Sequence, residues 1–391
     1  MALDNPIFTK PKLSAVNIIT GIILVIGLYL TFLRFTKGIG AVTNLDNNYP
    51  WGIWIGFDLL CGVALAAGGY VTSAACYVFG LKRFHSAVRP AILTAFLGYA
   101  LVVFALLYDV GRPVRLALAY PFVYSQGTSS LLFEVGLCVF LYLTVLFVEF
   151  TPAAFEWLGL NKIRGVVVKL TLLLTIFGVV LSTLHQSSLG ALFMIAPSKV
   201  HPLWYSGYLP IYFFISSMFA GMSMVIFEGS LAHKYLSDKM DDTHKAESSG
   251  VTFGFAKAAS WVMMGYIAIK LIGLAIDNNW HYLTTSWGLW FLLELIGFVV
   301  FPAILFAMGS REKNLTMVRV AAAWTILGII LNRLNISIIA FNYHLSSADR
   351  YIPSFMEIGI SVFIVTLGIT VYRYITSRMP ILYEHPDYKT H

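Results

Sequence analysis

The chain has 391 residues, of which 58% are hydrophobic and only 12% charged, and its mean hydropathy is +0.78. Soluble domains carry roughly 25% charged residues, so this composition excludes a soluble protein and indicates a polytopic membrane protein. The formal net charge of +7 does not indicate a nucleic-acid-binding protein, because the basic residues stand at the ends of apolar runs and form no solvated patch.

Ten apolar stretches are long enough to cross a bilayer, which requires about 20 residues in a helix. We predict an all-α polytopic protein, a single membrane domain over 1–391 with two four-helix bundles plus flanking helices. The first bundle spans 52–195, the second spans 208–341, and the flanking helices are 14–36 and 352–377. The predicted spans are 14–36, 52–80, 91–111, 129–150, 167–195, 208–236, 251–276, 285–308, 317–341 and 352–377.

The positions of Lys and Arg predict the orientation of these spans, since loops rich in basic residues stay on the cytoplasmic side. Of the 26 basic residues, 18 fall on the side that holds both termini, six fall on the opposite side, and Lys270 and Arg333 lie within helices. Both termini and the polar 237–250 linker are therefore predicted to be cytoplasmic. The first apolar run has no cleavage-like end, so we predict a span there and no signal peptide.

A short internal sequence similarity supports two similar halves. Phe133-Glu134-Val135-Gly136 opens the fourth span, and Leu293-Glu294-Leu295-Ile296-Gly297 lies in the eighth. Two glutamates in apolar helices four spans apart favour a repeated four-helix unit. Chance similarity between apolar helices is the alternative.

Ionisable residues within the predicted spans are candidates for a functional site, because each charge there costs several kcal/mol. Asp58, Asp109, Glu134 and His185 are predicted in the outer half of spans two to five, with Arg112 at the end of the third. Neighbouring antiparallel helices bring such groups within reach, which favours a polar pocket with proton chemistry. A salt-bridge network, with Asp109 paired to Arg112, is the structural alternative. The other embedded residues are Glu149, Glu228, Lys270, Glu294 and Arg333.

The histidines and cysteines argue against a metal-containing cofactor in this chain. A membrane b haem usually has two facing axial histidines, but only His185 of nine lies deep in a span, and His233 stands at an inner end. The three cysteines form no Cys-x-x-Cys pair, so the sequence predicts no iron–sulfur cluster, zinc site or disulfide framework. The charges within the spans are single and unlike one another, so they do not indicate the repeated ring of a channel pore. A proton- or ion-coupled secondary transporter stays an alternative.

The motifs around these charges resemble the NrfD/PsrC family, the integral membrane subunits of periplasmic respiratory oxidoreductases. Tyr49-Pro50-Trp51-Gly52, followed by Trp54 to Asp58, resembles the family's second helix. The likeness is to the ten-helix HybB type, a hydrogenase membrane subunit, and to the HmcC type of cytochrome complexes in sulfate reducers. Other matching segments are Arg89-Pro90, Asp109-Val110-Gly111-Arg112, Phe133-Glu134, Glu149-Phe150, His185-Gln186-Ser187-Ser188, Val200-His201-Pro202-Leu203-Trp204, Ile226-Phe227-Glu228-Gly229-Ser230 and Ala340-Phe341-Asn342.

The resemblance implies a haem-free, quinone-reactive subunit in the bacterial inner (cytoplasmic) membrane. Such a subunit exchanges electrons between menaquinone, or another quinone, and a periplasmic four-cluster iron–sulfur subunit of a hydrogenase or multihaem cytochrome c complex. It binds quinone between helices near the outer face. A purely structural anchor of a redox complex stays an alternative. The residues that we expect at the quinone are Trp51, Trp54, Asp58, Asp109, His185 and Gln186.

Quinone reduction needs a proton donor at each carbonyl, and we predict His185 and Asp109 in that role. Asp58 and Glu134 would complete the proton route, and Arg112 would orient Asp109 or stabilise negative charge on the quinone. Trp51 and Trp54 are otherwise typical of an interfacial belt.

A proton path toward the cytoplasm is a separate prediction. Glu134 near the outer side, with Glu149 and Glu228 nearer the inner side, would form it. Snorkelling of the two inner glutamates into the headgroup region is the alternative.

Overall fold

The computed structural model describes residues 14–49, 51–113 and 131–383. Within these residues, ten helices are long and apolar enough to cross a membrane. This confirms the predicted all-α, multi-pass membrane protein. The helices, α1 to α10, span Ala15–Lys37, Trp54–Val78, His85–Asp109, Leu131–Trp157, Asn161–Met194, Leu209–Tyr235, Asp242–Ile276, Ser286–Arg311, Leu315–Ile339 and Phe355–Arg378.

Several helices are longer than the apolar runs predict. Helix α7 begins at Asp242 instead of 251, and the Asp241 side chain caps it by accepting a hydrogen bond from the His244 amide. Helix α5 begins at Asn161 instead of 167, and α4 ends at Trp157 instead of 150. Hydropathy marks only the part of a helix that needs an apolar environment, whereas capping and backbone hydrogen bonds extend it beyond that part.

The helices alternate in direction, so their loops form two opposite ends. The outer end, as we call it, carries 38–49, 51–53, 110–113, 195–208, 277–285 and 340–354. The inner end carries 79–84, 158–160, 236–241 and 312–314. The 14-residue linker region at 237–250 lies at the inner end. Residues 1–13, Pro50, 114–130 and 384–391 lie outside the described part, so the cytoplasmic position of both termini stays a prediction.

Helix α2 lies at the centre of the protein. Its most apolar window is 78% buried, compared with 6% for α1 and 28% for α10. Small residues permit this packing: a Cβ added at Gly68 would lie 3.0 Å from the Gly221 carbonyl oxygen of α6, and one added at Gly69 would lie 2.5 Å from the Ala95 side chain of α3. Since α2 packs on both halves, the division into two bundles stays a prediction.

The flanking helices α1 and α10 pack against each other and against the first half. Gly27 of α1 lies directly on the Phe363 ring of α10. At the inner end, Arg89 of α3 donates to the Pro380 carbonyl at 2.9 Å and pairs with Glu156 of α4 at 2.9 Å. These contacts attach the chain that follows α10 to the first half of the protein.

Candidate functional site

Asp58 faces the flanking helix α10. It lies in the π-helical first turns of α2 and is 7% exposed. The Ser361 hydroxyl of α10 donates to Asp58 Oδ2 at 2.5 Å, and one turn earlier the Trp54 indole donates to the Glu357 carbonyl at 3.2 Å. Because π-helical turns often occur at functional sites, this distortion supports Asp58 as a site residue.

Asp109 ends α3 close to the flanking helix α1. Its Oδ1 is buried and has no hydrogen-bond partner among the described residues. Arg34 of α1 is 2% exposed and interacts electrostatically with Asp109, while it donates to the carbonyls of Tyr108 at 2.7 Å and Val110 at 2.9 Å. Arg34 therefore occupies the position next to Asp109 in which the sequence analysis expects Arg112.

Arg112 is exposed, and no hydrogen bond or ion pair joins it to Asp109 in the described part of the chain. The expected pairing followed from proximity in sequence. Helix α3 ends at Asp109, so the chain turns away before Arg112, and a residue from a different helix takes the position. A sequence of apolar helices contains no signal for that partner.

Glu357 is the third carboxylate at the outer end, and sequence reasoning missed it. It is fully buried, interacts electrostatically with Asp109, and accepts hydrogen bonds from the Tyr351 hydroxyl and from the Asn44 amide at 3.0 Å. It also closes a capping box with Ser354 at the start of α10. The Ser-x-x-Glu pattern was the available signal. We call Asp58, Asp109 and Glu357 the outer acidic cluster.

His185 lies in a different part of the protein, between α3, α4 and α5. It is fully buried; its Nδ1 contacts the Leu181 carbonyl at 2.7 Å, and its Nε2 contacts the Tyr99 hydroxyl of α3. A carbonyl oxygen only accepts, so Nδ1 carries the proton and Nε2 accepts from Tyr99. The neighbouring Gln186 donates to the Val63 carbonyl of α2 at 3.0 Å.

A row of polar side chains runs along the contact between α4 and α5. Near the outer end the Ser188 hydroxyl donates to Glu134 at 2.5 Å, and near the inner end the Thr175 hydroxyl donates to Glu149 at 3.1 Å. Glu134 and Glu149 lie about 22 Å apart along α4, at a rise of about 1.5 Å per residue. Together with Tyr99 of α3, we call these side chains the polar row. Its members are Glu134, Ser188, His185, Tyr99, Tyr142, Thr175 and Glu149.

Glu228 does not belong to the polar row. It lies on α6, is 9% exposed, and its carboxylate lies beside the hydroxyls of Thr94 of α3 and Tyr372 of α10. It borders a cavity of about 60 Å³ at the inner end, which His244 of α7 and Tyr372 of α10 also line. A cavity of this size holds water, which requires roughly 10–15 Å³.

The second half contains a hydrogen-bonded network around Glu294 of α8. Glu294 accepts from the Trp204 indole at 2.7 Å, from Asn332 at 2.6 Å and from Asn335. Just as Ser188 of α5 bonds to Glu134 of α4, the asparagines of α9 bond to Glu294 of α8. Glu134 and Glu294, the two glutamates of the internal sequence similarity, thus occupy similar positions in their helix pairs.

The embedded cations Lys270 and Arg333 belong to the same network. Arg333 donates to the Ser216 hydroxyl at 2.7 Å and lies 3.8 Å from the Phe213 ring centroid, and Lys270 lies 4.5 Å from that of Tyr212. Cations that are desolvated and stacked on aromatic rings are stabilised without an external ligand. We therefore interpret this network as structural.

Aromatic side chains connect the two candidate regions at the outer end. The Trp51 ring lies 6.1 Å from Phe193 of α5 and 6.5 Å from Phe341, and the Trp54 ring lies 5.9 Å from Tyr108. These rings form an apolar wall beside the outer acidic cluster. Asp58 and Asp109 thus lie next to the flanking helices α1 and α10. Glu134, His185 and Gln186 lie inside the first half. Between described residues, no hydrogen bond or ion pair joins the Asp58 and Asp109 group to the Glu134, His185 and Gln186 group.

Residues 41–343 match the family model described as polysulphide reductase, NrfD. The chain belongs to the NrfD family. It is 70% identical over 380 residues to a protein of Nitratidesulfovibrio vulgaris Hildenborough, with 97% of each chain covered.

Two further relatives carry descriptive names. One is the probable Ni/Fe-hydrogenase 2 b-type cytochrome subunit of Escherichia coli K12, 32% identical over 393 residues, covering 97% of this chain and 94% of the relative. The other is the menaquinone reductase integral membrane subunit of N. vulgaris Hildenborough, 28% identical over 381 residues, covering 89% and 88%. The predicted resemblance to the NrfD family and to the HybB type is confirmed.

The name of the hydrogenase relative raises the question of a b haem in this NrfD-family chain. Two histidines, His185 and His201, are deeply buried among the described residues, and His201 lies in the outer loops, where its Nδ1 accepts from the Leu203 amide. Both ring nitrogens of His185 are already hydrogen-bonded inside the protein. Ligation of iron would break the bond to Tyr99 and would require a second histidine facing His185. These residues do not fit a b haem.

Proposed function

We propose that this chain is the quinone-reactive membrane subunit of a respiratory oxidoreductase, exchanging electrons between (mena)quinone and a periplasmic iron–sulfur subunit. The observation that carries the proposal is Asp109 at the outer end. Its Oδ1 is buried and has no hydrogen-bond partner in the described part of the protein. Buried polar atoms are nearly always paired, so an exception calls for a missing partner, and a quinone oxygen fits that position.

The chemistry of a quinone matches the groups around Asp109. Conversion of quinone to quinol takes up two electrons and two protons, one proton at each oxygen. Asp109 exchanges one of them, and Asp58, held by Ser361 at 2.5 Å, exchanges the other. Arg34 supplies the positive charge that compensates the outer acidic cluster. Trp51 and Trp54 form the apolar wall for the ring.

In this proposal the electrons are exchanged with a redox partner subunit. The relatives named as hydrogenase and menaquinone reductase subunits support such a partner. The partner docks at the outer end in this proposal, so that its nearest iron–sulfur centre lies next to the outer acidic cluster. A hydrogenase or a multihaem cytochrome c complex is the type of assembly that we propose.

Two separate features of the protein serve proton movement in this proposal. In the polar row, the hydrogen-bonded pair of Tyr99 and His185 lies between the Ser188–Glu134 bond near the outer end and the Thr175–Glu149 bond near the inner end. Glu228, beside the water-sized cavity, opens toward the inner end. We propose that the polar row moves protons within the first half and that Glu228 admits them from the inner side.

The test compares Asp109→Asn with Asp277→Asn in the intact complex. Asp277 is also a carboxylate at the outer end, but it is exposed and directly follows α7, away from α1, α3 and α10. We expect Asp109→Asn to abolish quinone-linked turnover while assembly and electron transfer within the partner persist, and Asp277→Asn to behave like the native protein. Normal turnover in Asp109→Asn would leave the structural anchor as the better account.

A further inference from the structure

An open groove lies at the inner end between α6 and α9, remote from the outer acidic cluster. Its volume is about 430 Å³. His233 and Lys234, in the last turns of α6, border one side, and Arg319, near the start of α9, borders the other. The groove therefore carries positive charge from two helices at the level where a membrane surface would lie.

The remainder of the groove is apolar. Leu231 and Val320 line it and are 42% and 50% exposed, and Phe227 lines it as well. On helices that cross a membrane, exposed apolar side chains contact acyl chains. The groove is thus continuous with the lipid-facing surface below its charged rim.

The Arg319 side chain lacks an internal partner. Its Nε is buried, and within the described residues it has no hydrogen-bond acceptor. Neither Arg319 nor Lys234 forms an ion pair with a carboxylate there, and the Lys234 ammonium lies 5.2 Å from the centroid of the Tyr235 ring. A buried guanidinium N–H without an acceptor favours an anionic oxygen ligand, for which arginine has fixed geometry.

We propose that this groove binds an anionic phospholipid. The phosphate lies between Arg319 and Lys234, and the acyl chains follow Leu231 and Val320 into the membrane. Basic pockets between membrane helices are typical sites for such headgroups. A zwitterionic lipid carries its own compensating amine, and inorganic phosphate makes no use of the apolar part, so the groove selects a lipid that is both anionic and acylated.

The experiment measures lipid binding to the complex purified in neutral detergent, by native mass spectrometry and by the shift in melting temperature. Phosphatidylglycerol is compared with phosphatidylcholine and with inorganic phosphate. We expect phosphatidylglycerol alone to remain bound and to raise the melting temperature. The Lys234→Gln, Arg319→Gln double variant should bind it about thirtyfold more weakly, since each basic residue near an anionic headgroup contributes about a factor of five.

The matched control is the Lys162→Gln, Arg373→Gln double variant, which removes one lysine and one arginine from exposed positions on α5 and α10. It should bind phosphatidylglycerol as the native complex does. Leu231→Trp is a second test, which fills the groove and leaves every charge in place. It should also weaken binding. Equal protection by phosphate, equal weakening in the control, or unchanged binding in both groove variants would overturn the proposal.

Discussion

Ser361 of α10 donates a hydrogen bond to Asp58 of α2 at 2.5 Å, although the two residues are 303 positions apart in the chain. The bond connects the last membrane helix to the first helix of the bundle, at a carboxylate that is 7% exposed. A flanking helix therefore takes part directly in the candidate site. Without α10, Asp58 would lose the hydroxyl that pairs with it.

Ser361→Ala should lower quinone-linked turnover about tenfold without dissociating the complex. Removal of the hydroxyl leaves a buried carboxylate oxygen unpaired, which costs about 1–3 kcal/mol and changes the position and proton affinity of Asp58. Turnover of the assembled complex measures the effect. Ser377→Ala, at an exposed position near the inner end of α10, provides the control and should have native turnover. Equal rates for both variants would place Asp58 outside the reaction.

Arg34→Gln should destabilise the protein far more than Arg112→Gln. Arg34 is 2% exposed and donates to two carbonyls at the end of α3, whereas Arg112 is exposed. Loss of hydrogen bonds to a charged group costs about 1.5–3 kcal/mol, and an exposed substitution changes stability by about 0.5 kcal/mol or less. Thermal unfolding in detergent measures both. If Arg112→Gln is the more damaging change, the assignment of Arg34 is wrong.

Tyr99→Phe and His185→Ala should both reduce quinone-linked turnover, with the larger loss in His185→Ala. Tyr99→Phe removes the hydroxyl that donates to His185 Nε2 and keeps the ring, so packing survives while the proton link is broken. We expect about a tenfold loss, within the range of single acid–base groups. Tyr374→Phe, at an exposed position on α10, is the matched control. Native rates in both row variants would show that the polar row carries no protons.

Glu228→Gln should uncouple turnover from the membrane potential while quinone still binds. The substitution keeps the shape of the side chain beside the inner cavity but removes its ability to exchange a proton. Turnover in sealed vesicles is measured with and without an uncoupler. The uncoupler should change the turnover of the native protein but not that of Glu228→Gln. Glu312→Gln, exposed at the inner end, should respond as the native protein does. A native response in Glu228→Gln would make this glutamate structural.

Stability should fall as the pH decreases from about 6.5 to about 4, in part through His201. This residue lies in the outer loops and is 2% exposed among the rings of Trp204, Trp287 and Tyr343. Burial lowers the pKa of His201 from its usual 6.5 to about 4. In that interval the unfolded chain binds a proton that the folded protein does not, so protons favour unfolding, and the effect levels off below about pH 4.

His201→Gln retains a side-chain acceptor for the Leu203 amide but cannot be protonated. Melting temperatures measured from pH 7 to pH 4.5 should therefore fall less steeply in this variant. His281→Gln changes an exposed histidine in the same outer region and should keep the native slope. A native slope in His201→Gln would mean that other groups cause the pH dependence.

The sequence by itself determined the membrane class, the number of helices and the family. These follow from composition and from local patterns: about 20 apolar residues make a span wherever they occur, and motifs such as His185-Gln186-Ser187-Ser188 are read along the chain. Asp58, Asp109, Glu134 and His185 were found because any ionisable residue in an apolar helix is conspicuous.

Only the tertiary structure decided which of these residues share a neighbourhood. All apolar helices offer similar faces to one another, so hydropathy does not determine which neighbours pack together or how each helix is rotated. The structure places Asp58 against Ser361 of α10 and Asp109 beside Arg34 of α1, and it separates both from His185. Those partners depend on the packing of helices distant in the chain, because a buried charge is stabilised by whichever polar group the fold brings next to it.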